Sequence, residues 1–119
     1  MDTKSTVEAY ISAWNEEDEA KRRELLDQCW DESATYTDPT SDISGRDALF
    51  GLISQFQTQM PGAAIAVTSG IDQHHDRIRF CWKLTGAAQA IEGIDVGQVS
   101  PDGRLKSIVG FWGMNPPAA

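Results

Sequence analysis

Arg77-Ile78-Arg79-Phe80-Cys81-Trp82-Lys83-Leu84 alternates with a period of two, with apolar residues at 78, 80, 82 and 84 and charged ones at 77, 79 and 83. Successive side chains of a strand point to opposite faces, so this run is a half-buried strand with Cys81 on its wetter side. The same pattern extends in both directions. Upstream, Ala64-Ile65-Ala66-Val67-Thr68-Ser69 is a strand, and Gln73-His74-His75-Asp76 reads as the hairpin connection between the two. Downstream, Gly86 to Gln89 is a turn and Ala90 to Ser100 a strand. Pro101-Asp102-Gly103-Arg104 is a hairpin turn, and Leu105 to Gly113 closes the sheet.

Before Pro61 the period becomes helical. Val7, Tyr10, Ile11 and Trp14 form an i, i+3, i+4, i+7 stripe over Thr6–Asn15, which turns Tyr10 toward the interior. After a polar break at Asn15 to Glu19, Lys21 to Trp30 places Leu25, Leu26, Cys29 and Trp30 on one side of a second helix. Ala34-Thr35-Tyr36-Thr37-Asp38-Pro39 interrupts the helices. Its residues favour extended backbone, and a residue before proline is pushed out of the helical region, so Asp38 stands at a strand's mouth. Thr40-Ser41-Asp42-Ile43 reads as a loop. Ser44 with Asp47 resembles a capping box for a third helix carrying Leu49, Phe50, Ile53, Phe56 and Met60, with Arg46 a solvated first-turn residue.

Helices first and antiparallel strands afterwards predict an α+β fold. Three helices pack on a strongly curved, mostly antiparallel sheet, and a sheet curved in that way encloses a cone-shaped pocket. All 119 residues read as one domain, with residues 114–119 a frayed tail.

Composition limits the partners. A formal charge of −8 with ten scattered Lys and Arg argues against nucleic acid and against an anionic membrane surface. The N-terminal residues lack the apolar core of a secretory signal, so the expected location is cytoplasmic. Cys29 and Cys81 have no metal-ligand spacing and read as buried free thiols. His74 and His75, adjacent on a hairpin, also lack ligand spacing, and there is no Gly-rich phosphate loop; neither a metal nor a cofactor is expected.

Two carboxylates stand out. In Ile91-Glu92-Gly93-Ile94-Asp95-Val96-Gly97, packing of Ile94 and Val96 behind the sheet turns Asp95 toward the cavity and leaves Glu92 on the surface. Burial disfavours the charged form of a carboxyl, so Asp95 is expected to hold its proton near neutrality.

With the helix Tyr10-Ile11-Ser12-Ala13-Trp14-Asn15, the segment ending Asp38-Pro39, the helix start Gly45-Arg46-Asp47-Ala48, and Ile94-Asp95 before Asp102-Gly103-Arg104, the chain resembles the nuclear transport factor 2-like superfamily. It is most similar to the SnoaL-like branch, and in layout to ketosteroid isomerase. That resemblance implies a site of Tyr10, Asp38 and Asp95: Asp38 as the base that moves a proton next to a carbonyl, Tyr10 and protonated Asp95 as donors to the oxygen that gains charge. It also implies no cofactor, a small apolar carbonyl compound as substrate, and a homodimer through the sheet. Trp14, Phe56, Phe80, Trp82, Val99 and Trp112 are the expected pocket lining. Polyketide cyclisation or dehydration, non-catalytic binding of a small ligand, and association through the outer sheet face around Arg77, Arg79 and Lys83 are the other readings. Indoles in the lining argue against a four-ring steroid.

Overall fold

The computed structural model describes residues 2–118. Helices α1 (Thr3–Asn15) and α2 (Glu19–Cys29) lead into β1 (Trp30–Asp38) and β2 (Ser41–Ser44). Helix α3 (Arg46–Gln59) follows, then β3 (Ala64–Val67), β4 (Asp72–His74), β5 (Arg77–Thr85), β6 (Ile91–Val99) and β7 (Leu105–Trp112). The sheet runs β2-β1-β7-β6-β5-β3, with β4 pairing β5 beside β3. Every pairing is antiparallel except that of β1 with β7, which is parallel, so the first strand lies against the last.

Asp2 and Asp18 cap the first two helices through their carboxylates, accepting from the amides of Ser5 at 2.7 Å and Lys21 at 3.1 Å. The predicted stripe of α1 is the buried one: Val7, Tyr10, Ile11 and Trp14 all face the sheet. On α2 the inward positions are Arg22, Leu26 and Cys29, while Trp30 starts β1. Cys29 is fully buried, and burial pushes its thiol up to about 12; Cys81, expected to be buried, is only half-buried on the outer face.

Four local expectations are corrected. Residues 41–44 are a strand, held by register pairing of Thr35 to Ser44 through Asp38 to Ser41. Ser44 does not cap α3, because the helix starts at Arg46, one residue too late for it. Gly45 takes that place at φ 91°, a conformation that favours glycine, and no side-chain cap forms. Arg46 is not a solvated residue: its Nε donates to the Trp30 carbonyl at 2.6 Å, and its Nη1 lies 3.7 Å from Asp27. In the region of the two histidines, Asp72–His74 is a short strand on β5, and the turn is His75-Asp76.

The helical layer is locked by one buried cation. Arg22 is 2% exposed and pairs with no carboxylate among the described residues; its guanidinium donates to the carbonyl of Glu16 at 3.0 Å, Ser54 Oγ at 2.7 Å and Gln57 Oε1 at 2.7 Å. Gln57 then donates to the carbonyls of Trp14 and Glu16 at 2.9 and 2.8 Å. The corner between α1 and α2 is thereby fastened to α3. Asn15 pins the same corner to the sheet, donating to the Ile65 carbonyl and accepting from its amide, both at 2.8 Å.

Removing the cation strands this ring of buried acceptors. Arg22→Ala is expected to lower the unfolding free energy by about 3 kcal/mol, read from the urea midpoint. A loss below about 1 kcal/mol in that titration counts against the lock.

Candidate active site

Between the helices and the concave sheet face lies a cavity of about 120 Å³. Tyr10, Asp38 and Asp95, which come from α1, β1 and β6, all line it. Their approach is set by backbone geometry. In β1 the inward residues are Ala34, Tyr36 and Asp38, spaced by two. The parallel pairing aligns Thr37 with Val109, and β6 aligns Asp95 with Gly110, so β7 alone separates the two carboxylates. At the dividing position there is no side chain. A Cβ at Gly110 would come within 3.0 Å of Asp95 Oδ1 and 3.6 Å of Asp38 Cβ, so the space the two acids share depends on glycine there.

Asp38 is held as an acceptor. Oδ2 takes the hydroxyl of Tyr36 at 2.7 Å, and Oδ1 takes the amide and hydroxyl of Thr40 at 2.9 and 3.2 Å. Three donors orient the carboxylate at the mouth of the strand. They also form the turn that reverses the chain at Pro39.

Asp95 has the opposite surroundings. It is 6% exposed, and its protein donor is the Trp82 indole, whose Nε1 lies 2.9 Å from Oδ1. Burial dominates and pushes the carboxyl up to about 7; the Trp82 bond works against that shift, and the negative charge of Asp38 adds to it. The indole reaches Asp95 because its cross-strand partner is Gly93, where a Cβ would lie 2.2 Å from the Trp82 ring. Tyr10 is stacked on Trp30 with centroids 5.7 Å apart. Its phenol is pushed well above its ordinary value by burial and then by the charge of Asp95. It therefore keeps its proton as a donor throughout the working pH range.

Of the expected lining, Trp14, Phe56, Trp82 and Trp112 contribute. Phe80 and Val99 do not. Phe80 is 1% exposed within the packed core, and Val99 packs against that core after a β-bulge at Gln98. The sequence reading missed Tyr36, although its spacing of two from Asp38 was the available signal. Burial and the bond to Asp38 push the Tyr36 phenol far up as well. Ile11, Met60, Ile65, Leu84 and Ile91 complete the apolar wall. Glu92 is exposed, and His74 and His75 lie outside the cavity. Among the described residues no group of three or more His, Cys, Asp or Glu side chains is placed to hold a metal ion.

Comparison with known proteins gives a consistent answer. A family model for the SnoaL-like domain matches residues 7–108. A candidate isomerase of the SnoaL-like family from Agrobacterium tumefaciens strain C58 is 30% identical, with 94% of this chain and 97% of that one covered and a TM-score of 0.86. A nuclear transport factor 2-like (NTF2-like) protein of unknown function from Exiguobacterium sp. 255-15 superposes with a TM-score of 0.78 at 16% identity, covering 92% of this chain and 99% of that one. A candidate ketosteroid isomerase from Kribbella flavida DSM 17836 gives 0.70 at 20% identity, over 98% and 83% of the respective chains. At those two identities the likeness is one of fold. No curated protein matches.

Two outcomes follow from the buried acid. Trp82→Phe removes the bond that favours the Asp95 carboxylate, so the pKa should move above about 7 in a carboxyl-carbon NMR titration. An unchanged or lower value contradicts the assignment. Because the folded-state pKa is raised, Asp95 stabilises fully below its unfolded value near 3.8, and that contribution is lost as pH rises through about 7. Asp95→Asn should therefore gain on the order of 4 kcal/mol over the native protein between pH 4 and pH 9. Parallel stability curves for the two proteins would refute it.

Proposed function

The chain belongs to the SnoaL-like domain family, and from that premise together with the polar trio we propose that it is a cofactor-independent, isomerase-type enzyme acting on a small apolar carbonyl compound. One observation carries the reading: a carboxylate engaged only by donors and a carboxyl near neutral charge balance face the same apolar cavity across Gly110. Burial favours the protonated form of Asp95, which suits it to donate, while Asp38 accepts from every partner it has. Asp38 removes a proton from the carbon next to the carbonyl. The C–H electron pair enters the new carbon–carbon double bond, and charge accumulates on the carbonyl oxygen. Tyr10 and protonated Asp95 donate hydrogen bonds to that oxygen. Asp38 then returns the proton at another carbon, so the base is regenerated and no co-reactant is consumed.

Tyr36 holds Asp38 in line, and the aromatic wall keeps water from competing for the enolate. The same two steps could precede cyclisation or dehydration, with isomerisation the simplest outcome. The exposed outer strand residues Val96, Val109 and Phe111 are consistent with a homodimer formed through the sheet. No helix is long and apolar enough to cross a membrane among the described residues.

A second reading has its own support. Asp38 Oδ1 closes a turn on the Thr40 amide that asparagine would close equally well, so the residue has a structural role that needs no turnover. Conversion of a β,γ-unsaturated cyclic ketone to its conjugated isomer, followed by ultraviolet absorbance, separates the two. Asp38→Asn should cost about 10²- to 10⁴-fold in kcat and Tyr10→Phe about 10²- to 10³-fold, with activity declining above about pH 7 as Asp95 loses its proton. Ligand binding by both variants with no turnover by the native protein selects the binder.

A further inference from the structure

The inner cavity is too small to hold a sizeable substrate by itself. At about 120 Å³ it is comparable to the engineered cavity of about 150 Å³ that accommodates one benzene, so it takes about one ring. Whatever else a substrate carries must leave through the mouth. A groove of about 310 Å³ begins there and shares Trp14, Asp38, Phe56, Met60 and Trp112 with the cavity. A second opening, toward Gly86 to Gln89, adjoins the groove at Gln59 and Met60 but shares only Met60 and Ile91 with the cavity and does not touch Asp38.

The groove differs in chemistry from the cavity. Its floor and one rim come from a single face of α3, where Leu52, Gln55, Phe56 and Gln59 follow the i, i+3, i+4, i+7 spacing. Gln55 and Gln59 are exposed, so their amides are open to a ligand. The opposite rim is Thr40 and Ser41 at the β1–β2 turn. Among the described residues, Asp38 is the one charged side chain lining the groove, and no Lys, Arg or His lines either space. An anionic tail would meet the Asp38 carboxylate and no cation. The Thr40 hydroxyl is already given to Asp38, but an apolar tail would cover the Gln55 and Gln59 amides and the Ser41 hydroxyl without offering them a partner.

We propose that this groove is a second binding subsite, which takes the neutral, hydroxyl- or amide-bearing remainder of a substrate whose carbonyl-bearing ring occupies the inner cavity. The inference rests on the reading of Tyr10 and Asp95 as donors to an oxygen anion. It assigns Gln55, Gln59, Thr40 and Ser41 to specificity. The substrate class is then a one-ring carbonyl compound with a polar, uncharged side chain that passes Asp38 on its way out.

Phenols test this without knowledge of the substrate, because their oxygen imitates an enolate. 4-Propylphenol and 4-(2-hydroxyethyl)phenol differ only in replacing a terminal methyl by hydroxyl. Calorimetric titration of both gives an affinity ratio for the native protein and for the Gln55→Leu/Gln59→Leu variant. Loss of the rim amides should shift that ratio about fivefold against the hydroxylated phenol, the size of one net hydrogen bond. The anionic 3-(4-hydroxyphenyl)propionate should bind the native protein more weakly than either. Phenol binding that depends on Tyr10, with the ratio unchanged within twofold, overturns the subsite alone. Absence of phenol binding, or binding indifferent to Tyr10→Phe, overturns the donor reading and the subsite with it.

Discussion

The cavity depends on the parallel pairing of β1 with β7. β1 with β2, and β4 through β7 in turn, are neighbours in sequence that pair antiparallel, which needs no long-range agreement. β1 and β7 are far apart in sequence, and their meeting brings residue 38 within one strand of residue 95. The parallel ladder is interrupted between Trp30 and Thr35, so its register is set by residues 35–37, next to the carboxylate it positions. Anything that slips this register by one residue turns Tyr36 and Asp38 to the outer face and empties the site of its base.

Once brought together, the two acids are distinguished by their partners more than by their distance from one another. Asp38 sits where a turn and a phenol supply three donors; Asp95 sits under helices with one indole. The apolar wall thus does electrostatic work. Trp14, with Tyr36 and Phe56 at 5.7 and 5.4 Å between centroids, excludes the water that would level the two environments. For Asp95, shape and proton affinity therefore arise from the same side chains, and a change that opens the pocket to water also changes that acid.

What could be read from the sequence follows from how local each feature is. The stripe of α1 and the alternation of β5 are periodic over eight or more residues, so the inward placement of Tyr10 and of the Trp82 face was legible. Asp95 was legible because its apolar neighbours must point away. Features made by partners were not. Ser41–Ser44 has no pattern of its own and becomes a strand only by lying on β1. Arg22 occupies an inward position of α2, where its charge suggests solvent; the acceptors that satisfy it lie on two other segments. Tyr36 was overlooked beside a residue of obvious chemistry, and Phe80 and Val99 were misplaced because strand alternation gives a face but not a depth.

The clamp that Asn15 places on Ile65 has a further meaning for the chain in crowded solution. β3 lies at an edge of the sheet, and an edge strand presents unpaired amides and carbonyls on which a second polypeptide can build. Facing away from β5, Ile65 offers one such donor and acceptor pair, and both are already occupied by the Asn15 amide. A side chain on a helix imitates the neighbour that the edge lacks. The bond that fixes the helical corner thus also blunts a starting point for intermolecular sheet growth, and colloidal stability is in part the work of a single carboxamide.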